Sequence, residues 1–430
     1  MFDKINKFLE LYINKIVILF LFFGPILDIT TSLFNHLTNY QFNFAIVIKL
    51  IFMILLVFYY LYNNKSKVKF YYFITIFIYI FIFSIVVLTQ KGTSGFLYEI
   101  QNLTRNFFFP ICLLTISYLY KTKKINLPTN FIVKILGMYL VLLILPIITN
   151  TGFDSYTQGK TGTIGWFYST NEISGIISIM LPFLVLFIIK LKNKIFKLLI
   201  SICIMYIYFK IGTKVPILSA LITIILFLLM YLTNIFRNKQ INKILGIIVA
   251  TIVVIIGIVV FIPKTSFYKN IIIHLEFLNI DRIEDLNDIK IIDHFIFSER
   301  ITFLENTFQN YKTSSTFEKI VGIGYIENSG KDNVNIKTIE MDYYDILFRY
   351  GILGFVLFFI PLKLILIKII KSILKLNILT FDHMVFIASI LLILLLSLFS
   401  GHILTAPSVS ILVVIILNEA NVIFKKEELK

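Results

Sequence analysis

Apolar runs separated by short polar or basic stretches recur along the whole chain. A helix rising 1.5 Å per residue needs about 20 apolar residues to cross the hydrocarbon of a bilayer. Runs of that kind lie near 16–34, 43–62, 70–89, 105–120, 131–149, 172–189, 196–212, 215–233, 244–262, 344–362, 384–399 and 405–424. The pattern predicts an all-α polytopic membrane protein with about twelve transmembrane helices. Composition agrees: 58% of the 430 residues are hydrophobic and the mean hydropathy is +0.90. That is more apolar surface than a soluble core buries, so lipid must solvate the excess.

A formal net charge of +16 would suggest nucleic acid in a soluble protein, but the placement of the charge excludes that reading. Lys and Arg cluster in alternate loops: Lys4 and Lys7; Lys65, Lys67 and Lys69; Lys121, Lys123 and Lys124; Lys190, Lys192, Lys194 and Lys197; Arg237, Lys239 and Lys243; Lys363, Lys368, Lys371 and Lys375; and the C-terminal lysines. The opposite loops, 35–42, 90–104, 150–171 and 400–404, contain only Lys91 and Lys160. By the positive-inside rule both termini are cytoplasmic. The first apolar run lacks a small-residue cleavage pattern and reads as a retained span. Cys112 and Cys203 lie inside apolar runs and read as packing residues.

Spans nine and ten are separated by residues 263–343, which the alternation places outside. The expected organisation is therefore helices one to nine over 1–262, an extracytoplasmic loop domain over 263–343, and helices ten to twelve over 344–430. The loop holds 13 of the 24 acidic residues against nine Lys and Arg, the balance of an ordinary folded surface. Within it Ser298 can cap a helix whose apolar positions Ile301, Leu304, Phe308 and Tyr311 follow the helical period.

Motifs of soluble chemistry are missing. Gly159-Lys160-Thr161 lacks the earlier glycine of a phosphate loop, since Asp154 stands there. The five histidines have no metal-ligand spacing, so neither a metal nor another cofactor is expected. What remains is a set of charged residues at or near the outer face: Arg105, Lys160, Lys214, Arg300, Glu340, Asp342, Asp345 and Arg349. Charge at membrane depth is costly and needs a partner or a task. Lys214, in a tight turn between two spans, is either an anion-binding cation or a snorkelling lysine. Arg300, in the first turn of the capped helix, either binds an anion where free amides favour one or pairs with Glu299 or Glu305. Asp345 and Arg349, four apart, make an intrahelical ion pair. Glu340 and Asp342 are either site carboxylates or solvated loop acids.

Four segments together resemble the O-antigen ligase and polysaccharide polymerase superfamily of bacterial envelopes. YSTNEISGIISIMLPFLVLF (168–187) is similar to an Asn-containing span start, with Asn171 in the matching place. IGTKVPILSALI (211–222) is similar to a Thr/Ser-Arg-Gly segment, with Lys214 in place of arginine. SERITFLENTF (298–308) with VGIGY (321–325) resembles the Arg-containing helix and Gly-x-Gly turn of the external loop. EMDYYDILFRYGILGFVLF (340–358) has the spacing of a His-Asn-x-Tyr-Leu segment ending in Gly-x-x-Gly, with Tyr343, Gly351 and Gly354 matching and Glu340-Met341 in place of His-Asn. The acidic version is more like the polymerases than the ligases.

The resemblance implies a multi-pass enzyme of the bacterial cytoplasmic membrane that joins polyprenyl-pyrophosphate-linked oligosaccharide repeat units on the outer face. Lys214 and Arg300 would stabilise the departing pyrophosphate, with Arg105 in support. Glu340 is the first candidate for the base and Asp342 the second. Lys160, Asn171, Tyr343, Asp345 and Arg349 would bind substrate. A chain-length regulator and a flippase are the implied partners. The rival readings are a ligase of finished glycan, a lipid-linked oligosaccharide flippase and a noncatalytic assembly protein. Carriers commonly show two related halves with charge near the midplane, whereas this chain has no internal repeat and its charges crowd toward one face.

Overall fold

The computed structural model describes residues 2–38, 43–156, 159–237, 262–278, 289–326, 338–376 and 378–428. It is a bundle of long helices: α1 (Phe2–Thr38), α2 (Phe44–Asn63), α3 (Lys67–Lys121), α4 (Thr129–Thr149), α5 (Thr170–Lys190), α6 (Lys194–Ile211) and α7 (Lys214–Arg237). The segment between α7 and the last three helices contributes α8 (Ser266–Phe277), α9 (Arg300–Thr313) and α10 (Thr316–Val321), and α11 (Asp342–Ile373), α12 (Phe381–Phe399) and α13 (Pro407–Glu428) complete the bundle. The chain is thus an all-α polytopic membrane protein, apart from a two-stranded antiparallel ribbon, Phe153–Asp154 with Thr163–Gly165.

Among the described residues nine helical segments are long and apolar enough to span: α1, α2, the first limb of α3, α4, α5, α7, α11, α12 and α13. Two further runs expected as spans do form helix. Residues 105–120 are the second limb of α3, which breaks at Gly92, and 196–212 fall on α6. Both carry polar residues, Arg105 and Asn106 in one, Lys197 and Lys210 in the other, which dilute their apolarity. The run 244–262 lies almost wholly outside the described residues.

Burial sorts the helices. The spans of α13 and α5 are 83% and 72% buried, against 28% for α7 and the first limb of α3. The former pair is the centre of the bundle. Peripheral helices turn Ile51, Ile54, Phe77, Phe81, Ile224 and Ile225 outward, as a lipid-facing surface requires.

The expected helix after Ser298 is present as α9, but Ser298 does not cap it. Asp293, in a π turn (Asp293–Phe297), caps it from five residues further back, accepting from the Ile301 amide (2.9 Å), the Thr302 amide (2.9 Å) and the Thr302 hydroxyl (2.7 Å). The aromatic side of α9 packs on α11 through Tyr311 and Phe348, 5.1 Å between ring centroids.

A strap of residues 321–326 is clamped between α3 and α11. Gly351 breaks α11 with φ +64°, and a side chain there would collide with the Ile320 carbonyl and the Gly322 amide. The Gly-x-Gly turn and the Gly-x-x-Gly segment are therefore two halves of one backbone-to-backbone contact. From α3, Tyr79 donates to the carbonyls of Val321 (3.1 Å) and Tyr350 (2.9 Å). The buried Glu99 accepts from the amides of Tyr325 and Ile326 and pairs with Lys91 at 2.7 Å. Lys91 also donates to the Ile323 carbonyl at 2.7 Å.

Candidate active site

Every element that meets at the site does so at one end of the bundle, opposite the lysine clusters. The loop between α4 and α5 is pinned there by Asn270 of α8. Asn270 accepts from the Thr161 amide (2.7 Å) and donates to the carbonyls of Thr161 (2.7 Å) and Gly212 (3.0 Å). One side chain thus ties the ribbon loop, the turn between α6 and α7, and α8. Together with α9 and the residues before α11, these enclose a cavity of about 670 Å³.

Five of the residues expected from sequence line this cavity: Lys160, Asn171, Lys214, Arg300 and Glu340. Lys214 begins α7. Its ammonium donates to the Phe295 carbonyl and lies 4.7 Å from the Phe295 ring centre. Burial lowers the Lys160 ammonium from its ordinary value. Arg300 pairs with neither Glu299 nor Glu305. Glu299 instead meets His294 at 2.9 Å, and Arg300 donates to Glu340 at 2.7 Å. Asn171, in the first turn of α5, donates to the same carboxylate oxygen at 3.3 Å. The other oxygen of Glu340 faces Nε2 of His402 at 3.8 Å.

Burial would raise the Glu340 carboxyl, but His402 and the Arg300 guanidinium outweigh it and hold it down at about 2. Glu340 is therefore a fixed negative charge at neutral pH and a weak proton acceptor. Its backbone is held in the left-handed region, φ +59°, as is that of His402, φ +57°. Gly401 lies between them, with its own φ at +64° and no room for a side chain against the Glu340 carbonyl. His274, also on the cavity wall, is driven down to about 4 by burial and by the charges of Lys160, Lys214 and His294.

The remaining candidates stand elsewhere. The Asp342 carboxylate, 2% exposed, is occupied by the amides of His402 (2.8 Å), Ile403 (3.0 Å) and Leu404 (2.7 Å) and the Thr405 hydroxyl (2.7 Å). It anchors the α12–α13 loop and has no lone pair turned toward the cavity. Asp345 accepts from the Ile339 amide (3.1 Å) and the Met341 amide (3.4 Å), fixing the backbone on both sides of Glu340. Arg349 meets Asp345 at 3.9 Å, as its spacing predicts, and donates to the Gly324 carbonyl at 3.1 Å. Tyr343 stacks on Phe359, centroids 4.9 Å apart, away from the cavity. Arg105 lines a second cavity, paired with Glu172 at 2.8 Å.

Sequence reasoning missed Asp28, Lys49 and Glu172, and counted His402 among five histidines without metal-ligand spacing. The signal was available for the first three, because an ionisable residue inside an apolar run asks for a function. Among the described residues no three His, Cys, Asp or Glu side chains converge as a metal site would require.

No curated protein sequence matches the chain. A family model described as O-antigen ligase like membrane protein matches residues 10–427. With nearly its whole length covered, the chain belongs to the O-antigen ligase-like family of membrane proteins, whose chemistry is glycan transfer or polymerisation.

Proposed function

We propose that this protein is a polysaccharide polymerase, joining polyprenyl-pyrophosphate-linked repeat units on the outer face of the bacterial cytoplasmic membrane. The observation that carries the reading is one cavity holding three cations, Lys160, Lys214 and Arg300, against a single carboxylate, Glu340. Its surplus positive charge lies where water is partly excluded, so it is worth more to a pyrophosphate that gains a negative charge as its bond breaks than the same charge in bulk solvent. The attacking hydroxyl oxygen gives up its proton to a base and forms a bond to the anomeric carbon. The bond from that carbon to the pyrophosphate oxygen breaks with its electron pair, and the polymer remains lipid-linked. The apolar wall of the cavity, with Leu218, Ile271, Phe297 and Phe399, suits a lipid-linked substrate entering from the membrane side.

The test is reconstitution of the full chain in nanodiscs with purified polyprenyl-pyrophosphate-linked repeat units. A ladder of lipid-linked products that Arg300→Ala abolishes is the expected result. Transfer of one finished chain to a separate acceptor without a ladder would make the protein a ligase. Movement of the lipid across a vesicle with no new bond would make it a carrier.

A further inference from the structure

Beside the first cavity, and walled from it by the first turn of α5, lies a second of about 370 Å³. That is within the ~300–1,000 Å³ of small-molecule sites. Consecutive residues face the two: Asn171 lines the first and Glu172 the second. The second cavity has a different chemistry. Its charges are matched in pairs, Lys49 with Asp28 at 2.6 Å and Arg105 with Glu172 at 2.8 Å. Lys49 also donates to Ser408 at 2.7 Å. A wall of balanced donors and acceptors offers nothing to a pyrophosphate, but it complements a ring of hydroxyls, each both donor and acceptor. At its rim Tyr168 is 64% exposed, leaving an aromatic face for sugar C–H groups. The inner wall contains His402, whose Nε2 is directed at Glu340, a lining residue of the first cavity.

We propose that the second cavity receives the acceptor glycan, and that His402, between the two cavities, takes the proton from the attacking hydroxyl while the facing charge of Glu340 stabilises the imidazolium that forms. This rests on the glycan-joining reading above. The balance is simple: the hydroxyl oxygen bonds to the anomeric carbon, its proton passes to Nε2 of His402, and the electron pair of the broken bond leaves on the pyrophosphate. Asp342 is a positioning residue in this scheme, because it holds the His402 amide. Burial pushes the imidazole down, and the facing Glu340 more than offsets it, so His402 titrates above its ordinary 6.5. The charged groups around it are Glu340, Arg105, Asp342, Asp345 and Glu172. As a base it must be neutral, so the rate rises with pH above 6.5.

The chain has a single tryptophan, Trp166, next to Phe167 and Tyr168 of the cavity wall. Its fluorescence in the nanodisc-reconstituted full chain can report titration with the soluble repeat-unit oligosaccharide released by mild acid from the host's lipid-linked unit. Tyr168→Ala and Gln101→Ala, at exposed positions of the rim, should each raise Kd about tenfold, a loss of ~1.4 kcal/mol. Lys214→Ala should leave that Kd unchanged while abolishing polymer. His402→Gln should bind normally and lose about 10²- to 10⁴-fold in rate at every pH. Glu340→Gln should keep part of the rate at high pH and move the acid limb of the profile lower. A Kd that follows Lys214 and ignores Tyr168 and Gln101 overturns the assignment of the cavity. Polymerisation by His402→Gln at the wild-type rate overturns the assignment of the base. Failure of the wild type to join lipid-linked units, with oligosaccharide binding intact, sinks the polymerase reading instead.

Discussion

Replacing Asp342 with asparagine changes one atom and should be felt at the site next to it. One carboxylate oxygen accepts from the His402 amide and the Thr405 hydroxyl, the other from the Ile403 and Leu404 amides. Asparagine keeps one oxygen and turns an NH₂ group toward the other two donors. The less costly orientation keeps Ile403 and Leu404 satisfied. The Thr405 hydroxyl can rotate away, but the His402 amide cannot, and it is left facing another donor. An unsatisfied buried group costs about 1–3 kcal/mol, and the reverse orientation strands two amides. Asp342→Asn should therefore lose at least about 1–3 kcal/mol, with the strain falling on His402, already at φ +57°. Thr405→Val, which removes one neutral partner of four, should cost only about 0.5–1.5 kcal/mol. Thermal unfolding of the nanodisc-embedded protein, followed alongside polymer synthesis, measures both effects. Wild-type unfolding temperature together with wild-type polymer from Asp342→Asn would refute the reasoning that this carboxylate builds the site.

Lys214→Ala should cut polymerisation by at least about 10²-fold with unchanged expression, whereas Lys214→Arg should retain it; gel analysis of lipid-linked products distinguishes them. The Glu340 carboxyl, held at about 2 against an ordinary 4.5, stabilises the fold fully above pH 4.5, and that contribution is lost as pH falls from 4.5 toward 2. An acid-unfolding curve of Glu340→Gln should be less steep than that of the wild type across this interval. Glu99→Ala strands Lys91 and two backbone amides in a buried setting and should destabilise by about 3–5 kcal/mol, read as loss of folded protein on size-exclusion chromatography. Gln309→Cys, at an exposed position of α9, should react with an impermeant maleimide in intact cells; reaction only after permeabilisation would reverse the orientation and place the site on the wrong side.

The helices were legible because membrane solvation writes itself into sequence as length and apolarity, and the basic loops repeat the message in charge. Lys214, Arg300 and Glu340 were legible because charged residues near a membrane surface are few and their neighbours carried family motifs. What sequence could not supply was pairing. Arg300 had acids at positions 299 and 305 within reach along its own segment, yet its partner is 40 residues away in the chain. Asp342 and Glu340, two residues apart, stood as second and first candidates for one role, with nothing along the chain to separate their surroundings. Only the loop after α12, some 60 residues on, separates an anchored carboxylate from one that faces a cavity. The cap of α9 failed for the same reason: Ser298 stood in the right local place, but the chain turned so that Asp293 reached the free amides first.

The clamp on residues 321–326 limits how this protein can exchange parts with relatives. Because Gly322 lies against the backbone of Arg349 and Tyr350, and Glu99 and Lys91 hold the next four residues, the segment between α7 and α11 is fitted to two particular helices rather than carried as cargo. A graft that moved 263–341 alone would set foreign backbone against a surface that has no slack. The natural crossover points lie further out, so that the bend of α3 and the break in α11 travel with the strap. Changes of glycan specificity that arise by recombination should therefore bring a piece of the bundle with them, while those that arise by point substitution can leave the clamp untouched.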